Sequence, residues 1–463
     1  MQNTIHSVQT TLQVHFRNGA VYNIPMRDPN QQGLDNYCTA VSVKEQLYSN
    51  NNNNVVGNIT SSTLSITVQS KDGLLISSNT NSIYYGYMDN TAYIEVNVTG
   101  EDNVNTYLGR YFVDAWENGT KASDANTVNI FAVSLIGRIK NISLRKLRLQ
   151  RNLTVKDFIK SVVDKLNSGL PSYMQVLYRD QDLNIFDVTG YNWQLWYNNI
   201  DRDSFENIIN NIAQNTLTNL WIDRNRYLKA DWLLDDTQEQ PVSTISGSVN
   251  VLDYGTNLAD TSNASGVEVT YIDNVSYEDK ELANIEGYPL TAGVNELDSI
   301  KLNSSKISNI STIEIINDSG TSKCVSFFNY KDSIDFRIIS TANTNANIKI
   351  WGTVITEIEN TKTLYKDNNH KSDVVSINNN ILRKELIDMY TTGLLGLISI
   401  SNSSIYMEGF INPQVKIGDL VTVSGTKLGI NGNYKVIGVE LKLGTNYRCK
   451  LNLLKTFEEE EQE

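Results

Sequence analysis

Leu12, Val14 and Phe16 alternate with polar residues, Asn18-Gly19 offer a hairpin turn, and Ala20, Tyr22 and Ile24 resume the alternation. A period of two is the mark of a half-buried strand. A strict two-residue loop sets Phe16 opposite Val21 and turns Tyr22 and Ile24 to the other face. Either a bulge adds one residue or both faces are buried. Further strands are predicted over 63–68, 93–98, 108–116 and 128–136, and the asparagine tract 50–54 reads as an exposed loop tip.

The period then changes. Val155, Phe158, Ile159, Val162, Val163 and Leu166 form one helical stripe, opened by Thr154 with Asp157 three residues on and closed by Gly169 and Pro171. A second helix is predicted from Ser204, burying Phe205, Ile208, Ile209, Ile212 and Leu217. Residues 220–223 and 227–232 read as two short strands around Arg224-Asn225. The polar, turn-rich stretch 235–249 reads as a linker. Strand patterns return at 267–271, 312–316, 333–339 and 347–355. A helix is expected from about Asn378, with Ile381, Leu382, Leu386, Met389 and Tyr390 on one side.

Near the end, Ile437, Val439, Leu441 and Leu443 alternate, then Gly444-Thr445-Asn446, then Tyr447, Cys449, Leu451 and Leu453. With those three residues as the loop, the pairs Leu443–Tyr447, Leu441–Cys449, Val439–Leu451 and Ile437–Leu453 fall on one face, which over-determines the register. Residues 420–423 add a short strand, and 430–433 a turn. The expected fold is α+β and mainly β, in four units: a first β-barrel at 1–150, an α/β unit at 151–240, a β unit at 241–370 that is partly an insertion, and a helix with a second β-barrel at 371–463.

The 463 residues carry 52 acids against 39 lysines and arginines, a net charge of −13. Sequence-specific nucleic-acid binding needs a basic face and is disfavoured, although an acidic wall lets DNA slide past without sticking. Cys38, Cys324 and Cys449 are far apart and odd in number, so buried free thiols are expected rather than a disulfide framework. No basic start followed by an apolar run opens the chain, and no apolar stretch reaches the ~20 residues of a membrane helix, so synthesis in the cytoplasm of a host is expected.

Candidate chemistry is sparse. Only His6, His15 and His370 are present, and neither a nucleophile motif nor a phosphate loop occurs. Asp231, Asp235 and Asp236 lie near Trp221 and Trp232 and could suggest a sugar-cleaving pair, but a strand end passing into an acidic, exposed linker is the stronger reading. The fragments Asp180-Gln181-Asp182 and Asp201-Arg202-Asp203 lack the glycine and terminal glutamate of a calcium loop. No metal, cofactor or catalytic residue is expected. Tyr191, Trp193, Trp196 and Tyr197 make the best candidate for an interface or carbohydrate patch, aromatics being enriched at hot spots, although ordinary packing against the two helices is the stronger reading.

In order, these elements resemble the hub proteins at the tip of phage tails. The likeness lies in 107–114 and 126–136, in 152–159 with 207–213 and 220–228, and most specifically in 412–423, 431–439 and 447–453, where a Gly-Asp before a short strand precedes two further strands. The resemblance implies a virion tail protein forming a homotrimeric ring, each chain giving two similar β domains. Six such domains would dock on a hexameric tail tube or distal tail protein, the lower face would meet a spike or fibre, and DNA would pass through the middle. Residues 277–350 fit this pattern poorly and look inserted. A receptor-binding adhesin recognising host glycan, and a cell-wall hydrolase, are the alternatives.

Overall fold

The computed structural model describes residues 4–456 apart from 28–34, 48–58, 120–125, 146–153, 187–202, 232–239, 248, 258–264, 305–306, 331, 367–373, 380–381, 383, 401–403, 427–428 and 445. The fold is mainly β, with several sheets and few helices. Expectations for 50–54, His370 and Ile381 lie outside the described residues.

The first region holds β1 (Val8–His15), β2 (Val21–Ile24), β3 (Asn36–Gln46), β4 (Thr63–Ser70), β5 (Tyr93–Gly100), β6 (Asn105–Asn118) and β7 (Thr127–Ser134), then a short helix α1 (Leu135–Ile139). The β1–β2 hairpin takes the extra loop residue. Val14 pairs with Tyr22 and Leu12 with Ile24, and the Phe16 amide donates to the Ala20 carbonyl at 2.9 Å across Arg17-Asn18-Gly19. Gly19 sits at φ +84°, the left-handed position that such a three-residue loop requires. Beyond β2, Met26 bridges to Cys38, so the path β3-β4-β7-β6-β5-β1-β2 returns to β3.

The middle region holds α2 (Val155–Asn167), α3 (Phe205–Thr216), β8 (Asn219–Ile222) and β9 (Leu228–Asp231). Both helix starts follow the sequence: the Thr154 and Ser204 hydroxyls accept from the amides of Asp157 and Asn207, at 3.1 and 3.2 Å. All six apolar residues of the α2 stripe are buried; each such burial stabilises by roughly 1.5–3 kcal/mol. Leu217 caps α3 at φ +54° rather than extending it.

The stretch expected to be a linker contains a strand, β10 (Ser243–Ser246), followed by β11 (Val251–Asn257). Its polar residues misled because, among the described residues, the apolar burial comes from Ile245, which packs in the core shared with the last region of the chain. Next come β12 (Gly266–Leu290), β13 (Gly293–Lys301), β14 (Ile307–Asn317), β15 (Ser322–Asn329), β16 (Ser333–Ser340), β17 (Thr344–Tyr365) and β18 (Val374–Asn379). They form a four-stranded sheet, β14-β17-β12-β18, and a three-stranded one, β13-β16-β15. The helix expected from Asn378 starts later, as α4 (Ile387–Ile400). Residues up to Asn379 pair in parallel with β12 instead, and the Asn379 side chain accepts from the Leu382 amide at 3.0 Å. Leu382 and Tyr390 are buried as expected, whereas Met389 is 61% exposed.

The last strands are β19 (Ser404–Gly409), β20 (Leu420–Ser424), β21 (Gly432–Leu443) and β22 (Arg448–Lys455). In the final hairpin Leu441 faces Cys449 and Val439 faces Leu451, as the alternation requires. The expected Ile437–Leu453 pair does not form: a bulge sets Val436 opposite Leu453. The reason is a change of partner along the other edge of β21. Its first residues pair with β20 and its last with β3, so Ile437 is the switch residue, its carbonyl accepting from the Leu47 amide at 2.8 Å.

The first and last regions are thereby one 13-stranded sheet, β11-β19-β22-β21-β3-β4-β7-β6-β5-β1-β2 with β20 and β10 branching from β21. One core runs through both, from Leu12, Ile66 and Val96 to Val421, Leu441 and Leu451. A second core wraps α2 and α3, a third lies wholly within 282–350, and a fourth packs Val267, Val269 and Tyr271 on α4.

Candidate functional site

A heavily charged interior lies where the two terminal regions fuse and the β8–β9 hairpin plugs into them. The hairpin turn is fixed by Asp223, whose Oδ1 accepts from the amides of Asn225 (2.8 Å) and Tyr227 (2.9 Å), with Arg226 left-handed at φ +69°. That turn drives Arg224 inward. Its Nε and Nη2 donate to the two carboxylate oxygens of Glu45, on β3, at 2.8 and 3.0 Å. Nη1 and Nη2 also reach the carbonyls of Pro413 and Val415 at 3.0 and 3.3 Å. The two charged side chains are 8% and 3% exposed. A planar fork on a carboxylate is the geometry in which a buried pair is best satisfied.

The electrostatics follow from this burial. Burial by itself lowers a guanidinium, yet the charge and hydrogen bonds of Glu45 outweigh it, so Arg224 stays protonated above its ordinary range. Burial pushes the neighbouring Tyr111 phenol far up, and the Glu45 charge adds to the shift. Tyr111 donates to the Leu108 carbonyl at 3.1 Å.

Around the clasp stand further pairs. Asp231, at the end of β9, meets Lys435, whose side chain is 1% exposed beside the switch in β21. Lys229 meets Asp182 at 2.6 Å. Gly418, at φ +85°, lies so close to Trp221 that an added Cβ would fall 2.5 Å from the ring. Asp419 receives the Lys416 amide at 3.0 Å and offers its carbonyl to Val436 at 2.8 Å. The Gly-Asp of the sequence thus serves as the seat for the hairpin's tryptophan. A cavity of about 370 Å³ lies among these groups, with Arg110, Arg226 and Ile185 also in its wall. Acids and bases in it are matched, an arrangement suited to holding three regions together.

The aromatic patch Tyr191, Trp193, Trp196 and Tyr197 lies outside the described residues, as do Asp235, Asp236 and Trp232. Asp231 is engaged with Lys435 instead of a second carboxylate. Asp180 and Asp182 each face a lysine, Lys160 at 2.7 Å and Lys229. His15 stacks on Tyr93 with its Nε2 3.5 Å from Glu95, which also holds Arg110 at 2.7 Å. His6 packs on Phe410. Among the described residues no three His, Cys, Asp or Glu side chains gather as a metal set, and no helix is long and apolar enough to cross a membrane.

Sequence reasoning missed Glu45 and Lys435 and saw Arg224 only as a turn residue. A signal for Glu45 was present. Val41, Val43 and Glu45 share one face of β3, with buried Leu47 just beyond its end, and an acid in line with buried apolar positions demands a buried cation.

No protein-family model matches the chain, and no curated protein matches it in sequence. In three dimensions it superposes on the tail protein from Neisseria meningitidis MC58 with a TM-score of 0.51 and 11% identity, over 96% of this chain and 97% of that one. The fold of this chain is therefore shared with that protein. The 43 kDa tail protein of prophage MuSo2 from Shewanella oneidensis gives 0.48 at 9% identity, over 97% and 98% of the two chains. A prophage tail protein from Listeria monocytogenes EGD-e gives 0.45 at 9%, over 96% and 94%.

Proposed function

We propose that this chain is a structural component of a phage-type tail, a hub whose copies close into a trimeric ring. The observation that carries the reading is the shared strand β21. It fuses two compact β modules edge to edge within one chain, and the Glu45–Arg224 clasp fixes their relation. The path β3-β4-β7-β6-β5-β1-β2 returns on itself. The path β10-β20-β21-β22-β19-β11 ends on two strands, β10 and β11, that are consecutive in the chain. Both are read as small barrels, the first in 1–150, the second drawing β10 and β11 from 241–370 to complete 371–463.

Three copies would then present six barrels in a ring. One face would dock on a sixfold tail tube or distal tail protein, and the other would offer threefold symmetry to a spike or fibre. The net charge of −13 suits a channel through which DNA passes without adhering. The protein would reside in the tail of the virion.

Light scattering on the purified chain, alone and mixed with tail partners, tests this reading. The mass of three chains is expected, held by contacts on the order of 2,000 Å². A stable monomer that binds glycan would favour an adhesin, and clear lysis in a peptidoglycan zymogram would favour a hydrolase.

A further inference from the structure

The strands β12 and β17 are far longer than the others, and they belong to two cores at once. At one end Val267, Val269 and Tyr271 pack on α4; at the other, Leu282, Ile348 and Ile350 join a core drawn wholly from 282–350. Third strands support both ends. β18 accompanies β12 as far as Tyr271, and β14 joins β17 from Val354 onward.

Between them β12 and β17 run alone for five consecutive pairs, Ile272↔Glu359 to Ser276↔Ile355. At ~3.4 Å per residue this neck is roughly 17 Å long. Val275, Thr356 and Ile358 in it are exposed, as is the continuing run from Ser276 to Glu281. Of the described side chains in the neck, Asp273 stands opposite Ile358, a pair without the opposite charge or aromatic contact that stiffens a ladder. Just beyond, the register shifts twice, between Tyr277 and Lys280 and between Glu281 and Ala283, and Asp279 is left-handed at φ +52°. An isolated two-stranded ribbon is marginal even where it is regular.

We propose that these five pairs are a hinge, about which the distal β module of residues 277–354 reorients as a rigid unit against the body. The proposal stands on the ladder and the cores, and is independent of the role assigned to the ring. The geometry gives the tail component an arm whose aim adjusts while the fused sheet stays fixed.

Two measurements test it. In the unmodified protein, amide hydrogen exchange at 273–276 and 356–359 is expected to run at least about tenfold faster than at 283–290 and 345–350. Equal protection across the neck would overturn the hinge. In a Cys324→Ser background, spin labels at Lys323→Cys and Lys44→Cys join the module to β3, and labels at Lys44→Cys and Glu117→Cys span the body alone. The first pair should give a distance distribution roughly twofold or more broader than the second. Equal widths would show a rigid neck and overturn the proposal.

Discussion

Two joints in this chain solve the same problem in opposite ways. The terminal β modules meet through β21, which gives one edge to β22 and divides the other between β20 and β3. The β8–β9 hairpin then pins the seam with the Arg224–Glu45 clasp. Among the described strands, the ladder that carries the distal module from the body is β12–β17. A shared strand with a continuous core makes one body of two modules, whereas a two-stranded neck, on the proposal above, lets the distal module turn. The difference lies in how much buried surface and how many satisfied charges cross each joint.

The strongest way to break the first joint is to orphan one of its charges. Arg224→Met or Glu45→Gln should each cost about 3–5 kcal/mol of stability, because the remaining buried group loses its partner. Urea unfolding reads this loss. Replacing both residues by methionine should recover much of it, since no uncompensated charge then remains.

Thiol chemistry sharpens the contrast. Burial pushes Cys38 and Cys449 in the fused sheet up to about 12, while Cys324 in the distal module is half-exposed. A disulfide-exchange reagent at pH 8 should titrate Cys324 in the native protein, and the other two only in denaturant.

Legibility in the sequence divides along the same line. Elements whose signals are local came through: the α2 stripe, the Thr154 and Ser204 caps, the extra residue in the β1–β2 turn, and the Leu441–Cys449 register. What failed depended on distant partners. Ile437 bulges because β3 arrives from about four hundred residues away, and β10 looks like a linker until β20 lies beside it. Val374–Asn379 is a strand because β12 offers an edge, which delays α4. The clasp went unread: Glu45 shares an apolar face with Val41 and Val43, but that strand was not recognised and nothing local named Arg224 as its partner.

Smaller effects follow at single residues. Ser204→Ala should cost ~1 kcal/mol by removing the α3 cap, and Ser204→Asp should retain most of it. In the neck, Val275→Thr should change stability by less than about 0.5 kcal/mol, its side chain being 40% exposed. His15 gives the weakest signal. Burial lowers its pKa below 6.5, with Glu95 opposing and Arg110 reinforcing. The stability held by neutral His15 is therefore full above pH 6.5 and is lost as pH falls through the lower folded value. Melting temperatures across that range should show a slope that His15→Gln reduces.

The most direct measurement is electron microscopy of intact tail particles carrying this chain with a small density label at its C-terminus. Three labels around the tail axis, where the tube meets the tip, are expected. Labels scattered along fibres, or one copy away from the axis, would contradict a ring built from fused pairs of β modules.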